Sequence, residues 1–430
     1  MESVAVVITV FLALVFAYAA SSGALKRADV TAPMAFVGAG ALLSLWVPTI
    51  SGASAGALTR LTELTLALIL FHDAAQVRPR QITADRGLMS RLLLIGLPLT
   101  MVAGWLAGSV LFPGMNGMML LLLAAAAAPT DAGLGAATVL NPVVPVRVRR
   151  MLNVESGLND GLSTPIVLFA IAALAGDEGL GPVESLSSAL TDLAIGVLVG
   201  TVIGAGAGLL LGRSRRAGTS TRHSRPLAVL ALPIIAFFAA ELASGNSFVA
   251  AFVAGTAFAG SARWLEAEES TLELTEALSE PLGFAVWLAF GFLAVPLLVS
   301  NVGWREVAFA LLALTVLRML PVALALAGTG LRAPTVAFIG WFGPRGLASV
   351  VFALFAVEEL DVDTDLTTAV TALCLIVLFS IVAHGMSADP WSRRYGAWVE
   401  RVQPEEEVKG STEPSRSRGA ARRDTPVHRQ

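Results

Sequence analysis

Apolar runs close to or longer than 18 residues recur along most of this 430-residue chain, and no other feature restricts its fold so tightly. A run of that length matches the hydrocarbon thickness of a bilayer when wound as an α-helix. Inside a bilayer every backbone N–H and C=O must be satisfied by the protein itself, so repeated runs mean a bundle of membrane-spanning helices. Composition agrees: 55% of residues are hydrophobic and 14% charged, where a water-soluble domain carries about a quarter charged residues. The single cysteine, Cys374, excludes a disulfide framework or a cysteine metal cluster. No basic stripe interleaved with aromatics points to nucleic acid. The first segment begins with an acidic residue, Glu2, and reads as a retained helix rather than a cleaved signal.

The runs divide into about thirteen spans, near 3–21, 31–48, 61–77, 91–112, 116–140, 150–174, 189–212, 226–244, 246–260, 273–299, 305–328, 333–357 and 366–387. The expected fold class is therefore an all-α polytopic membrane protein. Residues 1–387 form its transmembrane domain. The polar, Ser/Pro-rich residues 388–430 read as a disordered cytoplasmic tail.

Basic residues give the orientation, because cytoplasmic loops collect Lys and Arg. One alternate set of loops holds sixteen: Lys26, Arg27, Arg78, Arg80, Arg86, Arg91, Arg147, Arg149, Arg150, Arg213, Arg215, Arg216, Arg222, Arg225, Arg263 and Arg332. The other set holds two, Arg60 and Arg305, together with the acids Asp177, Glu178 and Glu184 and the run "EELDVDTD". This bias places the N-terminus outside and the C-terminal tail in the cytoplasm. Arg318 and Arg345 belong to neither set; they lie within spans. An arginine at the bilayer centre costs about 2.5–3.5 kcal/mol even on the mildest scale, so Arg345 should have a partner.

Two spans look interrupted. The fifth reads "LLLAAAAAPTDAGLGAATVL", with Pro129, Gly133 and Gly135 at its middle; the twelfth reads "VAFIGWFGPRGLASVVFAL", with Gly343, Pro344 and Gly346. Proline removes an N–H and clashes with the preceding turn, and glycine lowers the cost of unwinding. The two lie seven spans apart, corresponding positions if spans 1–6 and 8–13 are inverted repeats. Paired interrupted helices in inverted halves mark the binding site of a secondary transporter.

The break in span 5 offers Thr130 and Asp131, hard oxygen donors suited to a small hard cation, although Thr and Asp also cap helices well. Span 6 carries Asn153, Glu155, Ser156, Asn159 and Asp160. Ser156 and Asp160 are one turn apart on one face; Glu155 and Asn159 share the adjacent face. If Arg150 marks the water boundary, Asp160 lies about 15 Å into the membrane. Glu155 and Arg345 are expected to neutralise each other as a structural pair. That leaves Asp160 and Asp131 as surplus negative charge, to be compensated by a proton or a metal cation. Asp73, near the end of span 3, is a weaker candidate. His72 and His384 have no metal-ligand spacing and read as packing residues. Glu241 and Asn246 bracket a tight turn, and the partner of Glu280 is not evident from sequence.

"PTDA" at 129–132, "LNVESGLNDG" at 152–161 and "GPRGLASVV" at 343–351, in this order, resemble the monovalent cation–proton antiporters of the NhaP/NHE type. The resemblance covers most of the chain. It implies a fold with inverted repeats and two crossed discontinuous helices, and a homodimer whose core helices, near 91–174 and 305–387, carry the ion site. It implies that Asp160 exchanges H⁺ for Na⁺, that Asp131, Thr130 and Ser156 help ligate the cation, that Asn159 fixes the unwound turn, and that Glu155 pairs with Arg345. Asp73 matches a family acidic position less securely. Asn159 before Asp160 resembles the electroneutral branch, one cation for one proton. The chain departs at Gly157, where a bulky residue is commoner, and at Ala132, where proline often stands. No cofactor is implied beyond the transported ions. The expectation is Na⁺ or Li⁺ exchange for H⁺ across the plasma membrane, with K⁺/H⁺ exchange or a cation channel as alternatives. No paired His, Ser–Lys or "HExxH" pattern suggests an enzyme.

Overall fold

In the computed structural model, the described residues are 2–27, 30–45, 53–76, 85–131, 133–175, 182–262, 264–265 and 268–408. Ala132, Arg78, Arg80, Asp177, Glu178 and Arg263, singled out above, lie outside them. Among the described residues all regular structure is helical. In chain order the helices are α1 (Glu2–Arg27), α2 (Ala32–Ser44), α3 (Ala53–Gln76), α4 (Arg86–Leu111), α5 (Gly117–Ala127), α6 (Ala136–Val139), α7 (Val146–Ala175), α8 (Pro182–Arg216) and α9 (Ser224–Leu242). There follow α10 (Ser247–Ser261), α11 (Glu273–Asn301), α12 (Trp304–Leu314), α13 (Val316–Ala325), α14 (Ala333–Trp341), α15 (Leu347–Glu359), α16 (Thr364–Val402) and α17 (Glu405–Val408). Among the described residues, seven stretches are long and apolar enough to cross a membrane, and four shorter apolar helices accompany them.

Both expected interruptions are present. α5 stops at Ala127, and helix resumes only as the single turn α6; α14 stops at Trp341, and α15 begins at Leu347. A third break at Thr315 (φ −114°, ψ −96°) separates α12 from α13 and puts Arg318 in the first turn of α13. A π-helical turn, Leu92–Gly96, interrupts α4 just before Pro98.

One apolar core runs through α5, α7, α12, α15 and α16, with Leu123, Ala125, Val167, Ala310, Val351 and Ile376 fully buried. A second packing unit joins α8 to α10. A Cβ on Gly196, Gly200 or Gly204 would come within 2.2–2.5 Å of the carbonyl oxygens of Asn246, Ala250 and Ala254. Glycine at every fourth position therefore lets the two backbones touch, which dispersion rewards where lipid offers no hydrophobic drive.

The tail differs from expectation. α16 continues past residue 388 to Val402, because Ala388, Tyr395 and Val399 bury an apolar face against Phe338 and its neighbours. Gln403 then adopts the left-handed conformation (φ 46°, ψ 55°) and turns the chain back into α17. Residues 409–430 lie outside the described residues.

Candidate ion site

A helix that stops inside a bilayer leaves backbone groups without intrahelical partners, and each must find another. Here the two interrupted spans satisfy one another. The Asp131 N–H donates to the Pro344 carbonyl at 2.8 Å. The Arg345 Nη1 donates to the carbonyls of Ala128 (2.8 Å) and Pro129 (3.2 Å), which the break at Pro129 exposes. Ser349 Oγ donates to the Ala126 carbonyl at 2.6 Å. In return, Asp131 Oδ2 accepts the N–H of Leu347, the first residue of α15, at 2.8 Å. Gly346 permits this approach, since a Cβ there would lie 2.0 Å from Asp131 Oδ2.

The other side of the break is held by α16. The Arg345 N–H donates to Ser380 Oγ at 2.6 Å, and Ser380 Oγ is 3.1 Å from His384 Nδ1. His384 Nε2 lies 2.9 Å from the Trp341 carbonyl at the end of α14. His384 Nδ1 also lies 3.0 Å from the Ser380 carbonyl, so both ring nitrogens are engaged, one at each side of the break.

α7 crosses beside this junction. Asn159 Nδ2 donates to Thr130 Oγ1 at 2.6 Å, and Thr130 Oγ1 is 2.9 Å from Ser156 Oγ. Thr130, Ser156 and Asn159 are buried and form one cluster at the break in span 5. Asp160, 8% exposed, follows Ser156 by one turn on the same helix. The ring of Phe252 from α10 packs against the next residue, Gly161, where a Cβ would be 2.3 Å from Phe252 Cδ2.

Two expected roles change. Asp131 is spent on backbone: its Oδ1 accepts from Gly133 (2.7 Å) and Leu134 (3.2 Å) while Oδ2 caps α15. A carboxylate accepts about four hydrogen bonds, so little of Asp131 remains for a cation. Glu155 pairs with Arg318 rather than Arg345: Arg318 Nη2 lies 2.7 Å from Glu155 Oε1, with both side chains fully buried. The physical reason is the carbonyl pair exposed at Ala128 and Pro129. A guanidinium suits that negative helix end, so the Arg345 head group is engaged there and Arg318 supplies the ion pair. Gly343 makes room, because a Cβ there would stand 2.7 Å from Arg318 Nε.

Asp73 sits half-buried in the last turn of α3, a helix that packs against α7 and α15. Ser349, Ser380 and the Arg318 pairing were not foreseen. Their one signal is a polar side chain inside an apolar run, and that signal does not say which backbone it serves.

Two interrupted helices cap each other across the bundle, with a buried carboxylate and hydroxyl cluster beside the crossing, and this arrangement defines the fold class. The fold matches the solved sodium proton antiporter MjNhaP1 from Methanocaldococcus jannaschii with a TM-score of 0.72 at 16% identity, over 92% of this chain and 100% of that one. The chain belongs to the family described as sodium/hydrogen exchanger, transmembrane, whose model matches residues 10–394. Relatives include the K(+)/H(+) antiporter NhaP of Alkalimonas amylolytica, 26% identical over 82% of this chain and 59% of that protein. The Na(+)/H(+) antiporter of Schizosaccharomyces pombe is 26% identical over 69% of this chain and 70% of its own length. The Na(+)/H(+) antiporter 2 of Zygosaccharomyces rouxii is 25% identical, and the match spans 46% of its length.

Proposed function

We propose that the chain exchanges Na⁺ or Li⁺ for H⁺ across the plasma membrane, one for one, by alternating access. One observation carries this reading: the charge balance at the crossing. Arg318 and Arg345 stand against Glu155, Asp131 and Asp160, so the five groups sum to one negative charge when all are ionised. One proton or one monovalent cation neutralises the set. A neutral core can cross between two access states, whereas a core with bare charge is held back by the cost of burying it.

Asp160 is the group that exchanges its ligand. Glu155 is matched by Arg318, and Asp131 is committed to three N–H groups, so each serves the architecture. Ser156 and Thr130 add hydroxyl oxygens beside Asp160 for the cation, and Asn159 holds Thr130 in place. Asp131 then acts on the cation through its charge rather than by contact. Asp73, in the last turn of α3, is a further acidic candidate. The Alkalimonas relative's name favours a second reading, K⁺ for H⁺ at the same site. The basic loops support an outside N-terminus and a cytoplasmic C-terminus. The family resemblance supports a homodimer.

The test is cation–proton exchange in proteoliposomes with Na⁺, Li⁺ and K⁺ in turn, wild type beside Asp160→Asn. Exchange of at least one cation that disappears in Asp160→Asn supports the reading. Exchange that survives the substitution refutes it, and flux that needs no counter-ion indicates a channel.

A further inference from the structure

A cavity of about 430 Å³ opens at the ends of α4, α7 and α13, lined by Asp85, Arg86, Leu88, Arg91, Arg147 and Thr329, with two glycines. It shares no residue with the ion site. Three of its lining side chains are guanidiniums and one is a carboxylate. Asp85 is already matched twice, by Arg147 Nε at 2.7 Å and by Arg150 Nη2 at 2.5 Å. Arg91 is fixed in place, its Nη1 donating to the carbonyls of Ala325 (3.3 Å) and Ala327 (2.6 Å). Arg86 is exposed and makes no hydrogen bond or ion pair with the other described residues.

The third guanidinium has a removable partner. Arg147 also binds Glu406, at 2.8 Å to its carboxylate and through the Glu406 carbonyl. Glu406 belongs to α17, the turn that folds back after Gln403. Its neighbour Glu407 is buried, where it accepts from the Arg332 N–H and Thr335 Oγ1, both at 2.8 Å. The chain's own carboxylate therefore engages one of the three guanidiniums that line the cavity and leaves Arg86 and part of Arg91 facing it without an anion.

We propose that this cavity binds a phosphate-bearing anion, which takes Arg86, Arg91 and Arg147 and displaces Glu406 from Arg147. Guanidinium forks match the oxygens of phosphate better than those of a spherical anion. The volume fits a diphosphate or a lipid headgroup. A basic recess at the ends of membrane helices is where either a headgroup or a soluble phosphate arrives. Binding has a route to the ion site: Arg147 opens α7, which carries Asp160, and Glu407 holds the start of α14, the first half of the interrupted span.

The experiment uses the full chain in phosphatidylcholine nanodiscs and follows thermal unfolding against inorganic pyrophosphate. A second set of nanodiscs contains phosphatidylglycerol without pyrophosphate. The expected result is a saturable rise in Tm with at least one of the two. A response to pyrophosphate in the neutral bilayer assigns a soluble phosphate; a response to phosphatidylglycerol alone assigns a lipid headgroup. Arg86→Gln should weaken the effect roughly ten-fold, the loss of one charge-assisted contact. Glu406→Gln should strengthen it, because Arg147 loses its competitor. Opposite effects from the two variants separate anion binding from a general change in stability. The proposal is overturned if neither phosphate source raises Tm, if Arg86→Gln responds as wild type does, or if Glu406→Gln fails to strengthen the response. None of these readouts depends on ion exchange.

Discussion

Asp131, half-buried, and Glu155, buried, are both acids near the crossing, and each is already engaged by other groups. Asp131 holds three N–H groups in two different spans. Asp131→Ala removes a cap shared by both half-helices. The expected cost is about 1–2 kcal/mol for the α15 cap alone, read as a lower Tm in detergent. Glu155→Gln leaves Arg318 buried without its carboxylate. That should destabilise the chain by about 3–5 kcal/mol, whereas the double variant Glu155→Leu/Arg318→Met should lose less than Glu155→Gln alone. A double variant that unfolds more easily than Glu155→Gln would contradict the pairing. The presence of these charges was legible from their place inside apolar runs. Their pairing was not, because two buried arginines competed for one glutamate, and the outcome depended on carbonyls at Ala128 and Pro129 that only the crossing exposes.

The interrupted helices were legible because proline and glycine act locally: Pro129 and Pro344 deny a backbone bond wherever the chain goes. What local chemistry could not show is that each break is completed by the other. Gly346 demonstrates the dependence. Its φ of −144° is open to any residue, so its role is space for the Asp131 carboxylate rather than backbone freedom. Gly346→Ala should therefore cost about 1–3 kcal/mol through overpacking and lower exchange with it. A variant with unchanged Tm and rate would show that the contact is dispensable. The continuation of α16 past residue 388 was missed for a related reason. The composition there is polar enough to read as tail, but Tyr395 and Val399 find an apolar groove made by a distant segment.

The outer helices are tied to one another through their loops. Hydrogen bonds from Arg215, and then Arg225, hold the Glu268 carboxyl below the ordinary carboxylate range, tying the end of α8 to the start of α9. A lowered carboxylate pKa stabilises the fold at neutral pH and loses that effect as pH falls through the lowered value. Glu268→Gln should thus lower stability by about 1 kcal/mol at pH 7, and the difference from wild type should shrink in acid. Across the molecule, the charge balance makes a sharper claim: proton and cation compete for one site. The direct test is the apparent KM for the transported cation in proteoliposomes, measured across pH with the membrane potential clamped at zero. Competition at one carboxylate requires KM to rise as pH falls, approaching about ten-fold per pH unit in the acid range, with maximal rate restored by saturating cation. A KM that stays constant across pH, with only the maximal rate changing, would contradict a shared site for proton and cation.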